Sequence, residues 1–116
     1  MSEKRFKFRA DEIRPLVPGR GGCYASDHIT VDGRLVGYLD REPPDGDWDS
    51  GWRFFSGSES DEFISDAANL GIYDVNTIAD YDPEMITLLD APFGSAFTRD
   101  KLSGGFTDEV FLTMES

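Results

Sequence analysis

The residues able to do chemistry in this chain are few, and their spacing limits what they could do. Cys23 is the only cysteine and His28 the only histidine. A thiolate nucleophile needs a base within hydrogen-bond reach. A buried thiol that merely fills space needs none, and that is the default reading of Cys23. Ser56 lies in Phe55-Ser56-Gly57 and lacks the first glycine of a nucleophile elbow. Zinc is disfavoured with one Cys and one His. Gly19-Arg20-Gly21-Gly22 matches neither the dinucleotide fingerprint nor a phosphate loop, so no cofactor is expected. Asp45, Asp47 and Asp49 alternate as in a calcium loop. Counted from Asp45, however, the sixth position is Ser50 instead of Gly and the twelfth is Ser56 instead of Glu. No metal is therefore assigned, and this stretch reads as a solvated acidic loop or one facing a partner. Carboxylates are numerous enough for an acid/base pair, but nothing in their spacing selects one. No catalytic residue is assigned and the chain is not expected to be an enzyme.

What remains is recognition. The chain has 116 residues and a net charge of −12, with a pI near 4.2. Such a field repels nucleic acid, whose binding needs Lys and Arg to neutralise phosphates. It attracts basic partners and speeds their encounter. The charge is uneven. Residues 1–20 hold six basic side chains against three acids, whereas residues 40–66 hold nine acids against only Arg41 and Arg53. The basic N-terminal segment is therefore placed to dock on the acidic body. The candidate partner-binding residues are Asp45, Asp47, Trp48, Asp49, Arg53, Glu59, Asp61 and Glu62, with acids as the rim and Trp48 as an exposed anchor. A lone cysteine excludes an internal disulfide and suits a reducing compartment. No apolar run reaches membrane-spanning length. Charges occupy the N-terminus where a signal peptide needs apolar residues. A cytoplasmic protein is expected, with no nucleic-acid or membrane partner.

These residues need elements to position them. Alternation in Trp52-Arg53-Phe54-Phe55-Ser56 predicts a strand with Trp52, Phe54 and Ser56 on one face and Arg53 and Phe55 on the other. One face is core, and a partly buried Arg53 then needs a carboxylate. Residues 4–9 alternate charge with Phe6 and Phe8 and predict a half-buried strand. Asp11 starts a short helical turn before Pro15 and Pro18. Residues 23–26 read as a short buried strand. Asp32-Gly33 between residues 28–31 and 34–39 predicts a tight hairpin, because both central positions tolerate positive φ. Gly37 within it implies a bulge or a close neighbour, such as an aromatic ring.

Residues 40–49, with two prolines, form a loop. Ser58 or Ser60 caps a helical turn through Ile64. Residues 72–75 are extended, and Asp74 caps a turn through Ala79. Asp82, Pro83 and Glu84 start a helix whose apolar face is Met85, Ile86, Leu88 and Leu89. Residues 95–99 and 110–112 read as strands around a turn at 101–105. The sum is one α+β domain spanning 1–116, a mostly antiparallel sheet with two or three short helices packed on one side.

Five segments together resemble a known bacterial family. They are residues 23–27 (Cys-Tyr-Ala-Ser-Asp), 36–42 (Val-Gly-Tyr-Leu-Asp-Arg-Glu), 49–57 (Asp-Ser-Gly-Trp-Arg-Phe-Phe-Ser-Gly), 69–78 and 88–97. The chain is similar over about residues 22–99 to the family first described as DUF2185 and now grouped as Imm33-like immunity proteins of polymorphic toxin systems. The resemblance implies a small α+β domain that binds and blocks a toxin without chemistry of its own. It brings no catalytic residues. The expected function is that of a small acidic, non-enzymatic, immunity-like protein whose partner is basic, such as a cognate toxin. Two other classes stay open: a regulatory or small-ligand-binding module with the Arg53 segment lining a pocket, and a carboxylate-based hydrolase.

Overall fold

The computed structural model describes residues 6–8, 10–100 and 104–108. Six strands form one sheet: β1 (Gly22–Ser26), β2 (Tyr38–Arg41), β3 (Asp49–Phe55), β4 (Leu70–Asp74), β5 (Ala96–Arg99) and β6 (Phe106–Asp108). Their order is β4-β1-β3-β2-β5-β6. Four of the five pairings are antiparallel, and β1 runs parallel to β3. The fold is thus α+β, with a mixed sheet. The parallel pair follows from connectivity: a helix and then β2 intervene between β1 and β3, and β2 takes the antiparallel place on the far edge of β3.

Three short α-helices are present among the described residues: α1 (Asp27–Thr30), α2 (Asp61–Ser65) and α3 (Val75–Tyr81). Each begins on a side-chain cap of the kind that satisfies an orphan N–H. Ser26 accepts from His28 N, Ser60 from Phe63 N and Asp74 from Asn76 N.

The core lies between one sheet face and α1 and α3. From the sheet it takes Cys23, Ala25, Leu39, Trp52, Phe54 and Phe97; from the helices it takes Ile29, Val75, Ile78 and Ala79. The alternation expected for β3 holds, since Trp52 and Phe54 are buried while Arg53 and Phe55 are half-buried on the other face. Cys23 is fully buried. Burial pushes its thiol well above the usual range, and the charges of Asp74 and Asp49 push the same way. Little thiolate forms near neutral pH. The native protein is therefore expected to resist iodoacetamide at pH 8 and to label fully once unfolded in guanidinium. Rapid labelling of the native state would show that Cys23 is an accessible, reactive thiol.

The Asp32-Gly33 hairpin does not form. Residues 27–30 are α1, and Gly33, at φ +78°, ends it by donating its N–H to Ile29 O at 3.0 Å. Positive φ at glycine serves a helix C-cap as well as a hairpin turn. The Ser26 cap upstream decides for the helix, and residues 34–37 are irregular until β2 begins. The close neighbour expected at Gly37 is real, but it is backbone: a Cβ there would sit 2.0 Å from Ser56 O. The turn capped by Asp82 is a 3-10 helix, Pro83–Leu88, and Asp82 accepts from Glu84 N. The loop expected at 40–49 is shorter, because Asp40 and Arg41 belong to β2 and Asp49 to β3.

In the segment expected as a strand at 4–9, residues 6–8 are not in a strand. Lys7 N donates to Thr30 O and Phe8 N to Tyr81 OH, so helix ends hold this segment rather than a sheet edge. Lys4, Arg5 and Arg9 lie outside the described residues, as does the strand expected at 110–112. Further along, Arg14 N donates to Asp80 at 3.1 Å, Val17 N to Asn76 at 2.8 Å, and Arg20 pairs with Asp90 at 2.7 Å.

Candidate interaction surface

Alternation along the strands sends a second set of side chains to the face opposite the core. Register aligns Ile72, Tyr24, Arg53 and Asp40 in one row across β4, β1, β3 and β2. A second row joins Phe55, Tyr38 and Thr98. The pairing of β1 with β3 shifts between Gly22 and Tyr24, and this shift brings Arg53 opposite Tyr24. The Arg53 guanidinium lies 4.5 Å from the centre of the Tyr24 ring, a cation–π contact.

Two depressions occupy this face. One, of about 310 Å³, is lined by Tyr24, Asp40, Glu42, Asp45, Arg53, Phe55 and Leu70. Its neighbour, of about 330 Å³, is lined by Gly37, Tyr38, Phe55, Gly57, Glu59, Ile64 and Thr98. Phe55 belongs to both. The loop after β2 walls one end through Glu42 and Asp45, and the segment after β3 walls the other through Glu59 and Ile64.

The structure divides the candidate residues. Asp45, Asp47, Trp48, Asp61 and Glu62 are exposed. Trp48 is 43% exposed and meets Tyr24 edge-on at 5.8 Å between ring centres. Asp49 is buried and works within the fold, accepting from Asp45 N and Gly51 N, each at 2.9 Å. Arg53 pairs with Asp49 at 3.3 Å and lies 3.7 Å from Asp45. Burial alone would raise the Asp49 carboxyl. The two N–H groups and Arg53 outweigh it and hold the carboxyl below its usual range. Glu59 behaves alike: burial raises it, but the Ser26 hydroxyl, the Ser56 N–H and the Ser56 hydroxyl bring it down. Glu59 also accepts from Gly57 N at 2.9 Å, which locks the turn that follows β3.

Asp45, Asp47 and Asp49 do not converge into a calcium loop. Asp49 spends its oxygens on N–H groups and Arg53, and Asp45 accepts from Tyr24 OH at 3.2 Å. Among the described residues, no three His, Cys, Asp or Glu side chains are grouped to hold a metal ion. Cys23 and His28 do not form a pair either. His28 instead bonds Asp32 at 2.9 Å and stacks on Phe63.

Sequence reasoning missed Asp40, Tyr24 and Phe55 as members of one surface. Asp40 Oδ2 accepts from Tyr38 OH at 3.1 Å, while Oδ1 is buried without a hydrogen-bond partner among the described residues. Burial raises its carboxyl and neighbouring Glu42 adds to this, against the opposing pull of Tyr38 and Arg53. Period-two alternation placed Arg53 and Phe55 on this face, but the register that joins them to Asp40 and Tyr24 is long-range.

The mixed sheet thus has one buried face and an opposite face that carries acidic and aromatic side chains. The sequence pattern of the Immunity protein Imm33 domain matches residues 23–109, and the chain belongs to that family. The match reaches beyond residue 99 and takes in β6, which pairs with β5. No match was found among curated proteins or among solved structures.

Proposed function

We propose that this protein neutralises a cognate toxin by binding it directly, without chemistry of its own, and that the toxin presents a basic surface. Membership of the Imm33 immunity family supports the role. The observation that carries the partner's chemistry is the fate of the arginines. Arg41 donates to Ser50 O and Ala91 O and lies against Trp52 and Phe93. Arg53 is held by Asp49 and Tyr24. Arg99 is held by Asp82, Glu84 and two backbone carbonyls. These cations are held inside the fold, so Asp47, Asp61 and Glu62 present their charge outward, and Asp45, exposed but 3.7 Å from Arg53, does so in part. A basic surface completes such a field, and opposite charges accelerate encounter. Exposed Trp48, a residue type enriched at binding hot spots, supplies the apolar anchor.

Of the segment that the small-ligand reading expects to line a pocket, Arg53 and Phe55 line a depression, whereas Trp52 is core and reaches neither. The hydrolase reading has Asp40, Glu42 and Asp45 lining one depression, but Asp40 and Asp45 already accept from Tyr38 and Tyr24.

The test is co-expression with the product of the toxin gene expected beside this one, together with affinity measured across ionic strength. Protection is expected, with a complex that weakens as salt rises. Asp47→Lys combined with Asp61→Lys is expected to slow association about tenfold with little change in stability. A complex indifferent to salt and to both charge reversals would contradict a basic-surface partner.

A further inference from the structure

We propose that the sheet face opposite the core is the centre of the toxin interface, taking a lysine or arginine of the partner at Asp40 and an adjoining apolar side chain between Phe55 and Ile64. This rests on the immunity reading above and specifies where and with what chemistry the partner is held.

Asp40 sits in the row of side chains across the sheet, opposite Arg53. Arg53 nevertheless pairs with Asp49 and approaches Asp45. Asp40 lines a depression that Glu42 and Asp45 make more negative, and its buried Oδ1 has no hydrogen-bond partner among the described residues. A carboxylate left in this state is costly in the free protein and is repaid by a cation that arrives with its own N–H donors. Tyr24 and Phe55 line the same depression and can flank the stem of a long basic side chain. A volume of about 310 Å³ lies at the low end of small-molecule pockets, and it suits one inserted side chain.

The second depression begins at the other side of Phe55 and is walled by Ile64, itself 41% exposed. Ile72, 60% exposed, continues the apolar surface beyond Tyr24. Apolar ground beside an unpaired acid, ringed by exposed carboxylates, has the layout of an interface core with a polar rim. A basic protein surface matches all three parts. The acidic loop then acts as the rim that steers the partner in, and the sheet face as the part that holds it.

The experiment compares dissociation kinetics of the toxin complex for wild type, Asp40→Asn, Ile64→Glu and the rim variant Asp47→Lys/Asp61→Lys. Asp40→Asn is expected to leave the free protein folded, with an unchanged or raised Tm, because the oxygen it neutralises has no partner to lose. Its complex is expected to weaken at least about thirtyfold, mainly through faster dissociation. Ile64→Glu, at an exposed position, is expected to keep the fold and weaken the complex in the same way. The rim variant is expected to act mainly on association. If Asp40→Asn and Ile64→Glu both bind within twofold of wild type while the rim variant weakens the complex, the sheet face is not the interface and the immunity reading stands. If wild type forms no complex at all, the immunity reading fails and this inference with it.

Discussion

Replacing Asp82 with alanine is expected to destabilise the fold by roughly 3–5 kcal/mol, the cost of leaving one member of a buried ion pair without its partner. Asp82 is 1% exposed. Its Oδ2 accepts from Val36 N at 3.0 Å and from Arg99 Nη2, and its Oδ1 accepts from Glu84 N at 3.2 Å. One side chain thus starts the 3-10 helix, fixes the irregular segment before β2 and neutralises an arginine on β5. Removing it strands the Val36 N–H in the core and leaves Arg99, whose side chain is only 14% exposed, with Glu84 as its remaining acid. Small domains have about 5–15 kcal/mol in total. The variant is therefore expected to lose at least about 10 °C in Tm, read by circular dichroism. Asp82→Asn, which keeps an oxygen for Val36 N, is expected to fall between the two. A Tm within about 2 °C of wild type for Asp82→Ala would show that this cluster does not hold the two elements together.

Trp52→Ala is expected to cost about 3–5 kcal/mol, through lost burial and the cavity left behind. The ring is 1% exposed, stacks near Phe54 at 6.0 Å between centres, and lies 5.6 Å from the Arg41 guanidinium. Its removal also takes an apolar wall from Arg41, which braces the loop leading into β5 by donating to Ala91 O. Chemical denaturation should show a lower midpoint with an unchanged m-value. Trp48 gives the contrast. It is largely outside the core, so Trp48→Ala is expected to keep most of the stability. Equal losses at the two positions would mean that Trp48, not only Trp52, serves folding.

The parts of the fold that were legible in the sequence are those governed by neighbours along the chain. Asp74 and Asp82 were readable as caps, and Ser60 as one of two candidates beside Ser58, because a cap acts within three residues. The faces of β3 were readable because alternation is a property of the strand itself. Asp32-Gly33 misled because one backbone conformation serves two motifs, and only the Ser26 cap upstream tells them apart. The parallel pairing of β1 with β3 has no local signal. The same holds for the candidate surface. The acidic loop and Trp48 could be marked from composition, and Arg53 from its place in the strand. Asp40 could not, since its significance comes from Tyr38, from Glu42 and from an Arg53 that turns to other acids.

The most direct measurement is the equilibrium affinity of the purified protein for the product of the toxin gene expected beside its own, taken at low and at physiological salt alongside the toxin's residual activity. Direct neutralisation by an acidic surface predicts a stoichiometric complex, inactive as a toxin, whose affinity falls as salt rises. A fully active toxin in the presence of excess protein, with no complex at either salt concentration, would contradict it.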